Sequence, residues 1–233
     1  MISGYPFAEN ESFFTHFVNK MAEHELSDET ESKIVSLHGF PVTRAVKHLE
    51  KRVLKNLPSV VIVQFGSTDV ATVTLRDKFR IRKKKPSNTA MHIAHLQQSI
   101  KWDLRSITIV TIRKLLSKLL KFPPKTNLED YITNMQYIIQ TLISRGISPI
   151  ILSPFYSADP LQVKNARVYS KALEEICKQQ GTLFIDCFHF LKKQNQNDIL
   201  LIDRFHLSKK GHELLGNYIF KEYIHYQNQV YTN

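Results

Sequence analysis

The chain has 233 residues, 42% of them hydrophobic and 23% charged, the balance of a globular protein with length enough for one good-sized core. No run approaches the roughly 18 apolar residues of a membrane span. Residues 1–6 show no basic cluster leading into an apolar stretch, so no secretory signal is expected and a cytoplasmic location is. The net charge is +11, yet residues 76–125 hold 14 Lys and Arg against only Asp77 and Asp103, so the basicity is local to one segment.

In chain order, Met1-Ile-Ser-Gly4-Tyr5-Pro6-Phe7 reads as a loop, because Gly4 and Pro6 interrupt any strand. Residues 10–22 set Phe13, Phe14, Phe17, Val18 and Met21 at helical spacing. Ile34-Val-Ser-Leu-His38 is a short strand candidate, and 42–54 a helix after it. Val60-Val-Ile-Val-Gln-Phe65, closed by Gly66, reads as a buried parallel strand. Residues 128–144 predict a helix with Tyr131, Ile132, Met135, Ile138, Ile139 and Leu142 on one face, Asn127 as its N-cap and Gly146 as its stop. Strands at 149–154 and 182–187 bracket a helix at 163–179, and a last helix is expected over 209–226.

This alternation predicts one α/β domain over residues 1–233, a three-layer α/β/α arrangement around a flavodoxin-like parallel sheet. The chain opens on a helix, however, where a doubly wound sheet normally opens on a strand, and that first strand is usually central. A first strand is therefore expected to be missing from this sequence. Cys177 and Cys187 have no metal-ligand spacing and read as buried free thiols.

Three short blocks carry the chemistry. Gly66-Ser67-Thr68-Asp69 follows a strand, at the edge where α/β enzymes place their sites, and its polar trio could donate to a developing oxyanion; an ordinary capped turn reads equally well. Gly39, just before a helix, offers a second backbone N–H, or serves only the geometry of the turn. Asp203-Arg-Phe-His206, ahead of Gly211 and the final helix, sets a carboxylate three residues before an imidazole. That spacing lets the acid hold one ring nitrogen while the other acts as general base. Asp186 and His189 share the spacing, but their aromatic neighbours Phe188 and Phe190 point to a helix or turn packed on the core. His38 either lines a pocket or packs at an edge, and His212 is expected to face solvent.

Together these blocks resemble the SGNH (GDSL-like) hydrolase family, whose order is a Gly-Asp-Ser, a Gly, a Gly-x-Asn-Asp and a late Asp-x-x-His. Gly39 matches the second block, Gly66-Ser-Thr-Asp69 the third with Thr68 in place of Asn, and Asp203 to His206 the last. The resemblance implies carboxylic-ester hydrolysis with His206 as base, Asp203 as its partner, Gly39 and Thr68 in the oxyanion hole, and no metal or cofactor. Acyl-carbohydrate and other small esters are the implied substrates. A Thr hydroxyl can donate one hydrogen bond where the family's Asn amide does, though it is shorter and also accepts.

The Gly-Asp-Ser block is absent. Met1 to Phe14 looks like the continuation that follows it in family members, so the nucleophilic serine and its strand are expected upstream of Met1. Ser3 is the serine nearest that position, but it falls after the turn, with no strand ahead of it. Without a nucleophile the alternative is a non-catalytic protein that binds an anionic ligand.

That ligand would meet the insertion at about 73–125. Lys78-Phe-Arg-Ile-Arg-Lys-Lys-Lys85 interleaves cations with Phe79 and Ile81, and 107–120 is an apolar stretch studded with Arg113, Lys114 and Lys118. A helical lid, a wall for an acidic polysaccharide or lipid headgroup, and a nucleic-acid or membrane contact are the three uses that fit.

Overall fold

The computed structural model describes residues 7, 9–24, 31–35, 37, 39–72, 123–201 and 204–231. Lys78 to Lys85, the 107–120 stretch, His38 and Asp203 lie outside the described residues. Three parallel strands, β1 (Val60–Gln64), β2 (Ser148–Leu152) and β3 (Leu183–Ile185), form a sheet in that order, with Ile62 opposite Ile150 and Ile151 opposite Phe184. The runs are apolar and largely continuous rather than alternating, with β-branched residues concentrated in β1 and β2.

Helices cover both faces. On one lie α2 (Val42–Arg52), α3 (Leu128–Ser144) and α4 (Pro160–Gln179), whose Leu49, Met135, Ile139 and Leu173 share one buried cluster. On the other lie α1 (Phe13–Glu23) and α7 (Lys209–Tyr231), packed with Leu191 of α5 (Cys187–Lys193) and Ile199 of α6 (Gln196–Ile199). This is the expected three-layer α/β/α arrangement. Both cysteines are buried and free. Among the described residues, no helix is long and apolar enough to cross a membrane.

Local chemistry sets the boundaries. Asn127 accepts the Asp130 N–H at 2.7 Å, and α3 runs from Leu128 to a stop at Gly146, as its spacing predicts. Ser12 caps α1 through the Thr15 N–H, and Ser208 caps α7 through the Gly211 N–H at 3.1 Å. β3 is shorter than expected because Asp186 caps α5, taking the His189 N–H at 3.0 Å and turning the chain into a helix at Cys187. The Asp186–His189 pair is thus a helix-start feature, with His189 Nδ1 2.5 Å from Asp186 Oδ2.

Two expectations about burial fail. β1 is an edge strand among the described residues: only Val63 is fully buried and Val60 is 37% exposed, whereas four of the five β2 residues are buried. Ile34, Val35 and Leu37 form no strand, and among the described residues nothing pairs with them as one; Ser36 lies outside the described residues with His38.

His212 was expected in solvent and is instead fully buried. Its Nδ1 accepts the Phe13 N–H at 3.2 Å, and its ring stacks on Phe13 with centroids 6.1 Å apart. One turn later, Gly216 lets α1 come against α7, for a Cβ there would lie 2.6 Å from the Phe13 carbonyl oxygen. Accepting at Nδ1 requires a neutral ring with its proton on Nε2. Burial pushes the His212 pKa down to about 3.

The unfolded chain therefore takes up a proton near pH 6.5 that the folded chain refuses until about pH 3. Stability attached to this residue is present above pH 6.5 and is lost as pH falls through that window. In His212→Asn, which can still accept the Phe13 N–H but does not titrate, urea denaturation between pH 6 and 4 should show a stability slope shallower by about one proton, about 1.4 kcal/mol per pH unit. An unchanged slope would refute the assignment.

Candidate active site

The site is built at the carboxyl ends of the strands, and Asp69 organises it. Its carboxylate is fully buried and accepts three hydrogen bonds: from Val42 N at 2.9 Å, from Thr126 Oγ1 at 2.7 Å and from Gly66 N at 3.1 Å. Burial raises the Asp69 pKa, while Thr126, Val42 and Gly66 pull it the other way. Asp69 was read from sequence as one of three donors toward an oxyanion. As a carboxylate it can only accept, and its three donors are all protein groups.

Those bonds tie two of the sequence blocks together. Val42 opens α2, whose N-cap Pro41 has no side chain to satisfy it, so Asp69 caps that helix from across the chain. Gly39 precedes it in a turn with φ +66°. Gly66 sits at φ +112°, and a Cβ there would lie 2.5 Å from Pro154 Cγ. Gly66→Ala thus combines left-handed strain with a clash in a packed region, and urea denaturation should register a loss of about 3 kcal/mol or more. Beneath the turn, the Tyr131 hydroxyl is buried without a hydrogen-bond partner among the described residues, and burial raises its pKa well above the ordinary phenol value. Ser67 Oγ is occupied locally, accepting from Gln64 Nε2 at 3.3 Å and Phe155 N at 3.4 Å.

The described part of the third block, Arg204 to His206, is flanked by pairing contacts. Leu201 N donates to the His206 carbonyl at 2.8 Å, and Leu200 bridges Leu207 in antiparallel fashion. Arg204 takes a left-handed φ of +59°, its carbonyl held by Ala158 N at 2.9 Å and its guanidinium by Asn197 Oδ1 at 3.0 Å. The His206 ring stands edge-on to Phe205, with centroids 5.1 Å apart.

A cavity of about 1330 Å³ brings these parts together: Gly39, Gly66, Ser67, Thr68, Phe205 and His206 all line it. From that end it runs along β1, between α1 and α2, as far as Pro58. Three of the four site residues named from sequence therefore border one space; Asp203 lies outside the described residues. His189 and His212 do not line it. Sequence reasoning missed the bracing role of Asp69, and the pairing of an acid at a strand end with an uncapped helix start at Pro41 was the available signal.

Thr72 bridges Pro124, and Lys125 N donates to the Ala71 carbonyl at 2.8 Å, so the described residues on either side of 73–122 meet at one point. Among the described residues, no group of three or more His, Cys, Asp or Glu could hold a metal ion.

The fold is thus a three-layer α/β arrangement of the SGNH type. The profile of the GDSL-like lipase/acylhydrolase family matches residues 10–214, and the chain belongs to that family. Among solved structures, a catalytic mutant of Axe2, an acetylxylan esterase from Geobacillus stearothermophilus, is 18% identical, with a TM-score of 0.58, covering 91% of this chain and 80% of that one. The acetyl xylan esterase AlAXEase is 15% identical, with a TM-score of 0.61, covering 94% and 92%. The search of curated proteins returned no match.

Proposed function

We propose that this chain forms the body of a carboxylic-ester hydrolase whose nucleophilic serine lies on a segment upstream of Met1. The observation that carries the reading is the convergence of Gly39, Thr68 and His206, far apart in sequence, on one cavity. The serine hydroxyl attacks the ester carbonyl while His206 takes its proton. Asp203 orients the imidazole and stabilises the imidazolium that forms. The Gly39 N–H and the Thr68 hydroxyl donate to the tetrahedral oxyanion. The protonated His206 then returns its proton to the leaving alcohol, and water releases the acyl group by the same steps.

Acyl-carbohydrate esters are the proposed substrates, in keeping with the acetylxylan esterases among the structural neighbours. The test compares p-nitrophenyl acetate hydrolysis by this chain and by a form extended upstream through a Gly-Asp-Ser block. Turnover confined to the extended form, and lost when its serine becomes alanine, is the expected result. Equal inactivity of two well-folded forms would sink the reading.

A further inference from the structure

Helix α2 carries its charge in a way that the stability of the domain does not call for. Its inward face is Val42, Ala45 and Leu49, all buried. Arg44, Lys47 and Lys51 recur at three- and four-residue spacing on the exposed face, joined by Arg52 and by Lys55 of the turn that follows. Cations suit the last turn, where Lys51 and Arg52 meet the negative end of the helix dipole. Arg44 instead stands in the first turn, against the positive end, with the Phe40 ring 5.0 Å away, and Lys47 and Lys51 repel each other one turn apart. The one acid of the helix, Glu50, has Arg145 at 3.8 Å. Among the described residues no carboxylate pairs with Lys47, Lys51, Arg52 or Lys55.

Apolar side chains stand beside these cations. Leu57 closes the turn after α2, 65% exposed and at φ +43°, ψ +57°, a left-handed conformation that strains a residue with a Cβ and that glycine takes freely. Ile143, 43% exposed, closes α3 at the same end of the domain: its carbonyl receives Gly146 N, and Ser148 N binds the Ser59 carbonyl at 2.9 Å, two residues from Leu57. Exposed apolar tips among cations without acidic partners suit a surface that offers negative headgroups and acyl chains together. A nucleic-acid backbone or an acidic polysaccharide would satisfy the cations and leave Leu57 and Ile143 in water.

We infer that the outer face of α2, with the Leu57 turn, is a docking surface for an anionic lipid bilayer. Lys47, Lys51, Arg52 and Lys55 meet headgroup phosphates and carboxylates, and Leu57 enters the interfacial layer. Each cation near such a surface adds to binding, and the attraction fades within a Debye length, so the contact is reversible and sensitive to salt. A single apolar tip holds weakly by itself, and the row of cations is the second signal that attachment requires. The surface owes nothing to the hydrolase reading, since the Leu57 turn lies where β1 begins and the candidate site lies at the carboxyl ends of the strands.

The experiment is cosedimentation of the full chain with vesicles of phosphatidylcholine alone or with about 30% phosphatidylserine, where the anionic vesicles should bind at least about tenfold more tightly and lose the protein in about 0.5 M NaCl. Lys47→Glu combined with Lys51→Glu should weaken that binding by about tenfold or more. Leu57→Gly should weaken it by about threefold or more, with a Tm that is unchanged or higher because glycine fits the left-handed turn, so the loss cannot come from misfolding. Cys177 and Cys187 are buried, so Leu57→Cys can carry a single nitrobenzoxadiazole label. Its emission should move to the blue on anionic vesicles, while the same label at Val168→Cys, an exposed position on α4, should not respond. Failure to bind anionic vesicles would overturn the proposal, as would an unshifted label at Leu57 or capture by single-stranded RNA or heparin in place of vesicles. Binding that survives the α2 substitutions and disappears instead in Lys83→Glu/Lys84→Glu/Lys85→Glu would assign the contact to the basic segment and also overturn it.

Discussion

Asp69→Ala should lower the unfolding free energy by about 3–5 kcal/mol, measured by urea denaturation at neutral pH. The substitution strands Val42 N, Gly66 N and the Thr126 hydroxyl in a region where Asp69 itself has no exposure. Each buried group left unpaired costs about 1–3 kcal/mol, and entering water can repair only part of that loss. Asp69→Asn should cost less, because its carbonyl can keep Val42 N and Thr126 Oγ1 while only the Gly66 N–H faces a second donor. Equal losses in the two variants would mean that packing rather than hydrogen bonding sets the effect. Asp69→Asn should also disturb the Gly66 turn more than the Gly39 turn, since the bond to Gly66 is the one it gives up.

His206→Ala, made in a form carrying the upstream serine, should reduce kcat by about 10⁴-fold or more while leaving KM nearly unchanged. Losing the base of such a triad removes proton transfer in both half-reactions, and what survives comes from binding and the oxyanion donors. The control is internal to the chain. His189 is held by a carboxylate three residues before it, with Nδ1 2.5 Å from Asp186 Oδ2, but it does not line the cavity. His189→Ala should leave kcat within about twofold. A reversal of these two results would move the active centre to the wrong Asp-x-x-His.

The same two pairs show where sequence reading reaches its limit. A three-residue spacing states that an acid and an imidazole can meet, not what they face; the capped start of α5 and the pinned loop at Leu201 satisfy the spacing equally. Helix α3 was legible to the residue because its cap, stripe and stop are all local. His212 was misread because its partner is Phe13, at the other end of the chain, and no pattern within α7 announces it. Asp69 was read only within a trio of possible donors and proves to be an acceptor, since its donors Val42 and Thr126 lie on distant segments. The β1 run reads as a covered strand by composition and is an edge among the described residues. Its composition answers to a neighbour that the described residues do not supply.

The contact between the first and last helices also bears on synthesis. Phe13 and His212 are 199 residues apart, and the apolar stripe of α1 finds its cover largely on α7. On a ribosome adding about 5–20 residues per second, α1 waits about 10–40 s before its partner is made. During that interval Phe13 and Phe17 lack their α7 partners, so the apolar stripe of α1 stays partly uncovered on the nascent chain. Slower translation lengthens that exposure.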